Sequence, residues 1–187
     1  MSEKIRSFIA FDIDSQQVLK KFSEAQDLLL ASGANLKLVQ PQNIHITMRF
    51  LGNISPNMVE PISQEMGHVS FMPFNAEILG LGAFPSIKYT RVVWAGIRKG
   101  SEKLSDISSQ LEPRLRKMGF KSDRKGFNPH LTLARVRTGQ NKAELARCIK
   151  DLAGFKFGVV EAKSLKLKRS VLTPKGPIYS TLAEVSH

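Results

Sequence analysis

Apolar residues recur along this 187-residue chain in two rhythms, one of period two and one of three to four. Residues 5–13 read as a strand. Behind them Val18, Phe22, Ala25 and Leu29 fall at helical steps, predicting a helix capped by Asp14, with Gln17 at the capping-box position and Gly33 as its stop. Residues 36–39 form a short extended segment, and 44–51 a second strand beyond Pro41. Ser55-Pro56 supplies a cap and an N1 proline for a second helix that sets Val59, Ile62, Met66 and Val69 on one face, with Pro61 in its first turns. Residues 74–81 are a strand, and Gly80, Gly82, Pro85 and Ser86 read as the turn into the second half. There the order repeats. A strand over 91–97 leads to a helix begun at Ser101, with Leu104, Ile107, Leu111, Leu115 and Met118 inward, which Pro113 should kink or break. Gly119 closes it, residues 129–136 form a strand, and a fourth helix from Thr138 uses Leu145, Cys148, Ile149 and Leu152. The tail holds three more strands, over 155–160, 164–172 and 178–185.

The repetition keeps a register. His45-Ile46-Thr47-Met48 and His130-Leu131-Thr132-Leu133 are two copies of an H-x-T-x motif 85 positions apart, and the same shift carries Arg6 onto Arg91 and Ala10 onto Ala95. Residues 5–11 map onto 90–96, both apolar strand-like runs entered by an arginine. No linker or low-complexity segment intervenes. The expected fold is α+β: duplicated β-α-β-α units forming two pseudo-symmetric lobes with a central cleft, residues 1–187 making a single two-lobed domain. A pseudo-twofold packing would bring the two histidine strands face to face.

Bulk composition narrows the function. No apolar run approaches the ~18 residues of a membrane helix, and the single cysteine, Cys148, excludes an internal disulfide and suits a reducing compartment. A cytoplasmic protein is expected. Lys and Arg total 28 against 16 acidic residues, a formal charge of +12. That balance favours a polyanion, because each phosphate gripped releases counterions. The basic residues crowd the second half: Arg114, Arg116, Lys117, Lys121, Arg124 and Lys125, then Arg135, Arg137 and the run from Lys163 to Arg169. A merely solvated basic face is the plainer alternative.

In a strand, residues two apart share a face, so each motif offers one imidazole and one hydroxyl side by side while Ile46, Met48, Leu131 and Leu133 point the other way. Two such pairs across a cleft supply an acid, a base and two neutral donors, which suits phosphate ester chemistry. One strand histidine alone is more often structural; two at a fixed internal offset favour function. His68 and His187 lack that context. Zinc would need three or four Cys, His or carboxylate ligands, which the motifs do not provide. Asp12 and Asp14 could pass for a Mg²⁺ pair, but Asp14 is better explained as a cap. Phosphate-binding glycine loops and a nucleophile elbow are missing. Neither a metal nor a cofactor is expected.

Four stretches carry a family resemblance: residues 5–10 (Ile-Arg-Ser-Phe-Ile-Ala), residues 43–52 from Asn43 through His45-Ile46-Thr47 to Phe50-Leu51-Gly52, residues 129–135 from Pro129 to Arg135, and Gly176-Pro177-Ile178-Tyr179. Together they resemble the two-histidine phosphoesterase superfamily, and within it the RNA 2′,3′-cyclic phosphodiesterases, also called 2′-5′ RNA ligases. The resemblance implies metal-independent hydrolysis of RNA 2′,3′-cyclic phosphate ends to 2′-phosphates, with His45 and His130 as the acid–base pair and Thr47 and Thr132 binding phosphate oxygens. The reverse direction, joining ends through a 2′-5′ bond, would use the same pair. Base is assigned to His130 and acid to His45, an assignment the pseudo-symmetry allows to be reversed. Five residues after each histidine stand Phe50 and Arg135, to which the resemblance gives base contact and a phosphate clamp. Strand parity groups Phe50 with Ile46 and Met48, so a core role stays open, and Arg135 shares parity with Leu131 and Leu133, where a lone charge should not be buried. A bulge or the strand end would release it. The implied partners are RNAs with cyclic phosphate ends, tRNA fragments among them, met by a monomer with no membrane contact. Two rivals remain: a sibling enzyme cutting another cyclic or 2′-5′ linked phosphate, and an RNA-binding module without turnover.

Overall fold

The computed structural model describes residues 4–123 and 126–186. Among them run β1 (Ile5–Asp12), α1 (Gln16–Ala31), β2 (Leu36–Leu38), β3 (His45–Ile54), α2 (Val59–Gly67), β4 (Phe74–Phe84), β5 (Val92–Ile97), α3 (Ser101–Lys117), β6 (His130–Val136), α4 (Lys142–Asp151), β7 (Lys156–Ala162), β8 (Ser164–Thr173) and β9 (Gly176–Ser186). The offset of 85 recurs in three dimensions: Ser15 caps α1 and Gly100 caps α3. The inward stripes read from the sequence are buried, from Val18, Phe22, Ala25 and Leu29 on α1 to Leu104, Ile107, Leu111 and Leu115 on α3.

The strands form two antiparallel sheets, β3-β1-β8-β9 and β2-β6-β5-β4-β7. Neither sheet belongs to one half of the sequence. The first half sends β4, its last strand, to pair with β5 of the second, while the second half returns β8 to pair with β1. The helices cross over too: α2 and α3 pack on the first sheet, α1 and α4 on the second. Each of the two sheets is therefore assembled from both halves. β3 and β6, the two histidine strands, approach one another between them. No helix among the described residues is long and apolar enough to cross a membrane.

Several local expectations shift. Ser15, not Asp14, caps α1, its hydroxyl accepting from the Val18 N–H at 3.4 Å, so Gln17 cannot complete a capping box. A short 3₁₀ turn, Pro56–Met58, precedes α2, and Pro61 sits early enough in the helix to cost no hydrogen bond. Pro113 lies inside an assigned α3, because Leu111 and Leu115 on either side of it are clamped in the core. α4 begins at Lys142 rather than Thr138, entered through Asn141 in the left-handed region (φ 51). Gly80 and Gly82 are not a turn but part of β4. Gly80 has a φ of 74 where the ladder slips register, and the Trp94 indole lies over Gly82 where a Cβ would stand.

Both histidine strands carry a β-bulge at the same place. Ile9 pairs with Arg49 and Ala10 with Thr47, leaving Met48 unmatched; Val93 pairs with Ala134 and Trp94 with Thr132, leaving Leu133 unmatched. Each bulge puts two successive residues on the core side and reverses the alternation beyond. The second is anchored from behind. The Leu133 carbonyl accepts from the Val39 N–H at 2.8 Å and from Nε2 of the buried Gln26 at 3.0 Å, and the same Nε2 reaches the Val39 carbonyl at 2.8 Å. Gln26→Leu keeps the volume and deletes both donors. It should cost about 1–3 kcal/mol, or roughly 2–4 °C of Tm for each kcal/mol. A thermal melt checks this, and an unchanged midpoint would mean the bulge does not lean on Gln26.

Candidate active site

Each histidine opens its strand, and the backbone just before it folds back to hold the ring. His45 Nδ1 lies 2.7 Å from the Asn43 carbonyl oxygen and His130 Nδ1 lies 2.6 Å from that of Asn128. A carbonyl can only accept, so in each ring Nδ1 carries the proton and the neutral ring turns an unprotonated Nε2 outward. His45 Nε2 then accepts from the Thr47 hydroxyl at 2.9 Å. The two asparagines stand 85 apart like the histidines they hold, a recurrence the H-x-T-x reading did not extend far enough to see.

Aromatic rings wall each imidazole. Phe8 of β1 is 4.9 Å from His45 between ring centroids and Tyr179 of β9 is 5.4 Å away; Phe84 is 4.9 Å and Trp94 6.3 Å from His130. Tyr179 reaches His45 because the first sheet curls: Asn43 Nδ2 donates to the Pro177 carbonyl at 2.8 Å, drawing the start of β9 back over β3. The Gly176–Tyr179 stretch was recognisable in the sequence but had no role there. Phe8, Phe84 and Trp94 had none either, since an aromatic in a strand reads as core.

This walling depresses both imidazole pKa values below the usual 6.5, burial being the largest cause in each. At His45 the bond to Asn43 and the Asp12 carboxylate push back, while Lys168 and His130 add to the depression. At His130 the bond to Asn128 opposes burial and Arg135 reinforces it. That His130 is felt at His45 sets the two rings within electrostatic reach across the cleft.

The bulges decide the remaining positions. Beyond Met48 the alternation reverses, so Arg49 turns toward α3 and Phe50 stands out on the cleft side, 61% exposed, its ring 6.1 Å from Phe8. The core reading of Phe50 is thereby overturned. Beyond Leu133 the same reversal buries Ala134 and exposes Arg135, paired across the sheet with Val92 and Lys37. Thr132 shares the cleft face with His130 and Trp94. All six residues singled out in the sequence, His45, Thr47, Phe50, His130, Thr132 and Arg135, thus line the same side of their strands. Arg49 Nε meets Glu112 at 3.0 Å and its Nη2 donates to the Lys121 carbonyl, fastening the loop after α3 against β3. Asp12 is taken up by Lys168 at 2.7 Å and Lys166 at 3.1 Å. Among the described residues no three or more His, Cys, Asp or Glu side chains are grouped to hold a metal ion. Cys148 is half-buried, its thiol pKa raised by burial and by Asp151.

A family model described as the AKAP7 2′5′ RNA ligase-like domain matches residues 7–186. The chain belongs to the 2′-5′ RNA ligase-like family of two-histidine phosphoesterases. It is 37% identical over 165 residues to a protein of Aeropyrum pernix named RNA 2′,3′-cyclic phosphodiesterase, covering 88% of this chain and 94% of that one. A protein of the same name from Methanothermobacter thermautotrophicus is 36% identical over 181 residues, covering 96% and 97%. Among solved structures, TT0787 of Thermus thermophilus superposes with a TM-score of 0.76 at 27% identity over 97% of both chains. E. coli LigT, solved with 3′-AMP, gives 0.78 at 21% over 98% of each, a likeness of fold.

Both imidazoles should therefore titrate below 6.5 when followed by NMR. In Arg135→Ala the His130 midpoint should rise, since removing a fixed positive charge lowers the cost of imidazolium. Midpoints at or above 6.5 in the wild type would overturn the desolvated arrangement.

Proposed function

We propose that this chain is a phosphodiesterase that opens RNA 2′,3′-cyclic phosphate ends to 2′-phosphates, with His45 and His130 as its acid–base pair. The observation that carries the reading is the pair of Nε2 edges, each fixed by the same Nδ1-to-carbonyl bond and each on the cleft face of its strand. The relatives named RNA 2′,3′-cyclic phosphodiesterase, similar over nearly the whole chain, support the substrate.

His130 Nε2 accepts a proton from water as its oxygen bonds to phosphorus. The bond from phosphorus to the ribose 3′-oxygen breaks, and His45 Nε2 gives its proton to that oxygen. The histidines end with protonation exchanged and reset through solvent. One ring must start protonated although both are depressed; the phosphate monoanion between them favours that imidazolium. Arg135 and the hydroxyls of Thr47 and Thr132 bear the charge that grows on the non-bridging oxygens. Phe50, exposed at the rim, offers a stacking face to the terminal base. A ribose hydroxyl in the place of water would instead join two ends, which is the ligase direction.

Loss of either imidazole removes one proton transfer. His45→Ala and His130→Ala should each lower turnover of a 2′,3′-cyclic dinucleotide by about 10²-fold or more while the fold persists. A folded variant with near-normal turnover would refute the assignment, whereas an RNA-binding module would show no turnover to lose. A 2′-5′ linked dinucleotide run alongside separates the sibling-enzyme reading.

Activity should also survive prolonged EDTA treatment; loss restored by a single divalent ion would mean the site had been misread.

Arg135→Ala should damage catalysis even on a cyclic mononucleotide. Replacing Lys121, Arg124 and Lys125 should instead weaken longer RNA and flatten its salt dependence. Arg124 and Lys125 lie outside the described residues, but Lys121 is tied to β3 by Arg49, one residue from Phe50. Measuring both variants on a mononucleotide and on a tRNA-sized substrate decides it, an unchanged salt slope marking that cluster as a solvated face.

A further inference from the structure

We propose that Arg6 and Tyr179 form a second phosphate site beside the histidines, one that holds the next phosphodiester of an RNA chain whose cyclic end lies in the cleft; this rests on the phosphodiesterase reading above.

Arg6 lies on β1 two residues before Phe8. The β1–β8 register ends at Ser7 opposite Arg169; carried one residue further it sets Arg6 against Ser170, and Ser170 pairs with Tyr179. Arg6 and Tyr179 thus occupy one row across the sheet, on the face where the Tyr179 ring stands 4.9 Å from Phe8 and 5.4 Å from His45. Arg6 is exposed, and among the described residues it makes no ion pair. The Tyr179 hydroxyl has no hydrogen-bond partner among them. Its surroundings are cationic from both sides: Arg6 from its own sheet and Arg135 from the other each favour the ionised phenol, against the burial that raises its pKa.

The balance of charge on this face selects the ligand. Lys168 and Lys166, which pair across the sheet with Phe8 and Ala10, are compensated by Asp12. Arg6 is not. A reacting cyclic phosphate carries one negative charge, to which Arg135 and the threonine hydroxyls already answer. A second uncompensated guanidinium beside a free phenol donor calls for a second anion within a nucleotide's reach, and an RNA strand supplies one at every residue. A cyclic mononucleotide without further phosphate supplies none.

The test compares a nucleoside 2′,3′-cyclic phosphate with a dinucleotide ending in the same cyclic phosphate. In Arg6→Ala the ratio of kcat/KM on the dinucleotide to that on the mononucleotide should fall about tenfold, the scale of one charge-assisted contact. The salt slope on the dinucleotide should lose about 0.7. Arg6→Lys should keep the slope and recover part of the ratio, because charge is retained while the planar fork is lost. Equal losses on both substrates, or a slope that does not change, would overturn the second site and leave the phosphodiesterase reading intact. Wild-type protein that turns over neither substrate would overturn both.

Discussion

A single short hydrogen bond, made twice, sets what this molecule can do. An imidazole has two nitrogens, and which one faces the substrate is decided by what holds the other. The Asn43 and Asn128 carbonyls hold Nδ1, and every later feature presupposes it. The aromatic walls would otherwise only strip water from a ring of undefined tautomer. Thr47 could not donate to Nε2 if that nitrogen already bore a proton. The bond also offsets some of the loss of imidazolium that burial causes.

The bulges turn a repeated motif into an asymmetric site. An unbroken strand would bury the residue five after each histidine; one unmatched residue between the histidine and that position, Met48 or Leu133, delivers it to the cleft. Because the two slips occupy equivalent places, the cleft receives one side chain from each half at matched positions. Divergence at that position, Phe50 in one copy and Arg135 in the other, then gives one wall a stacking surface and the opposite wall a charge without disturbing either strand.

The sequence made some of this legible and hid the rest for identifiable reasons. Helical stripes such as Leu104, Ile107, Leu111 and Leu115 were plain because burial of a helix face follows period and little else. The histidine and threonine pairing was plain because the residues lie two apart on one strand. Arg135 betrayed its bulge, since a charge cannot share a face with Leu131 and Leu133; Phe50 could not, since a phenylalanine fits either face. The carbonyls that orient the imidazoles act through the backbone, and the trace they leave is the recurrence of Asn43 as Asn128, outside the H-x-T-x motif itself. Gly80 and Gly82 misled because glycine serves a turn and a crowded strand equally well, and only the Trp94 indole distinguishes them. Tyr179 comes to His45 through the curl of a sheet, a distance of 134 residues along the chain that no local pattern encodes.

The exchange of β4 and β8 bears on how such a chain could have arisen. Alone, the first half would have β1 with no neighbour on the side that β8 fills, and a spare β4 with no sheet of its own. Two identical copies of that half, however, could each lend the other the missing strand. Their union would be a reciprocal, closed dimer with one histidine strand from each subunit meeting at its axis. Joining the subunits end to end would change no contact within it. The architecture is that of an intertwined homodimer written into one polypeptide, and in a single polypeptide, unlike a homodimer, the two walls are free to differ.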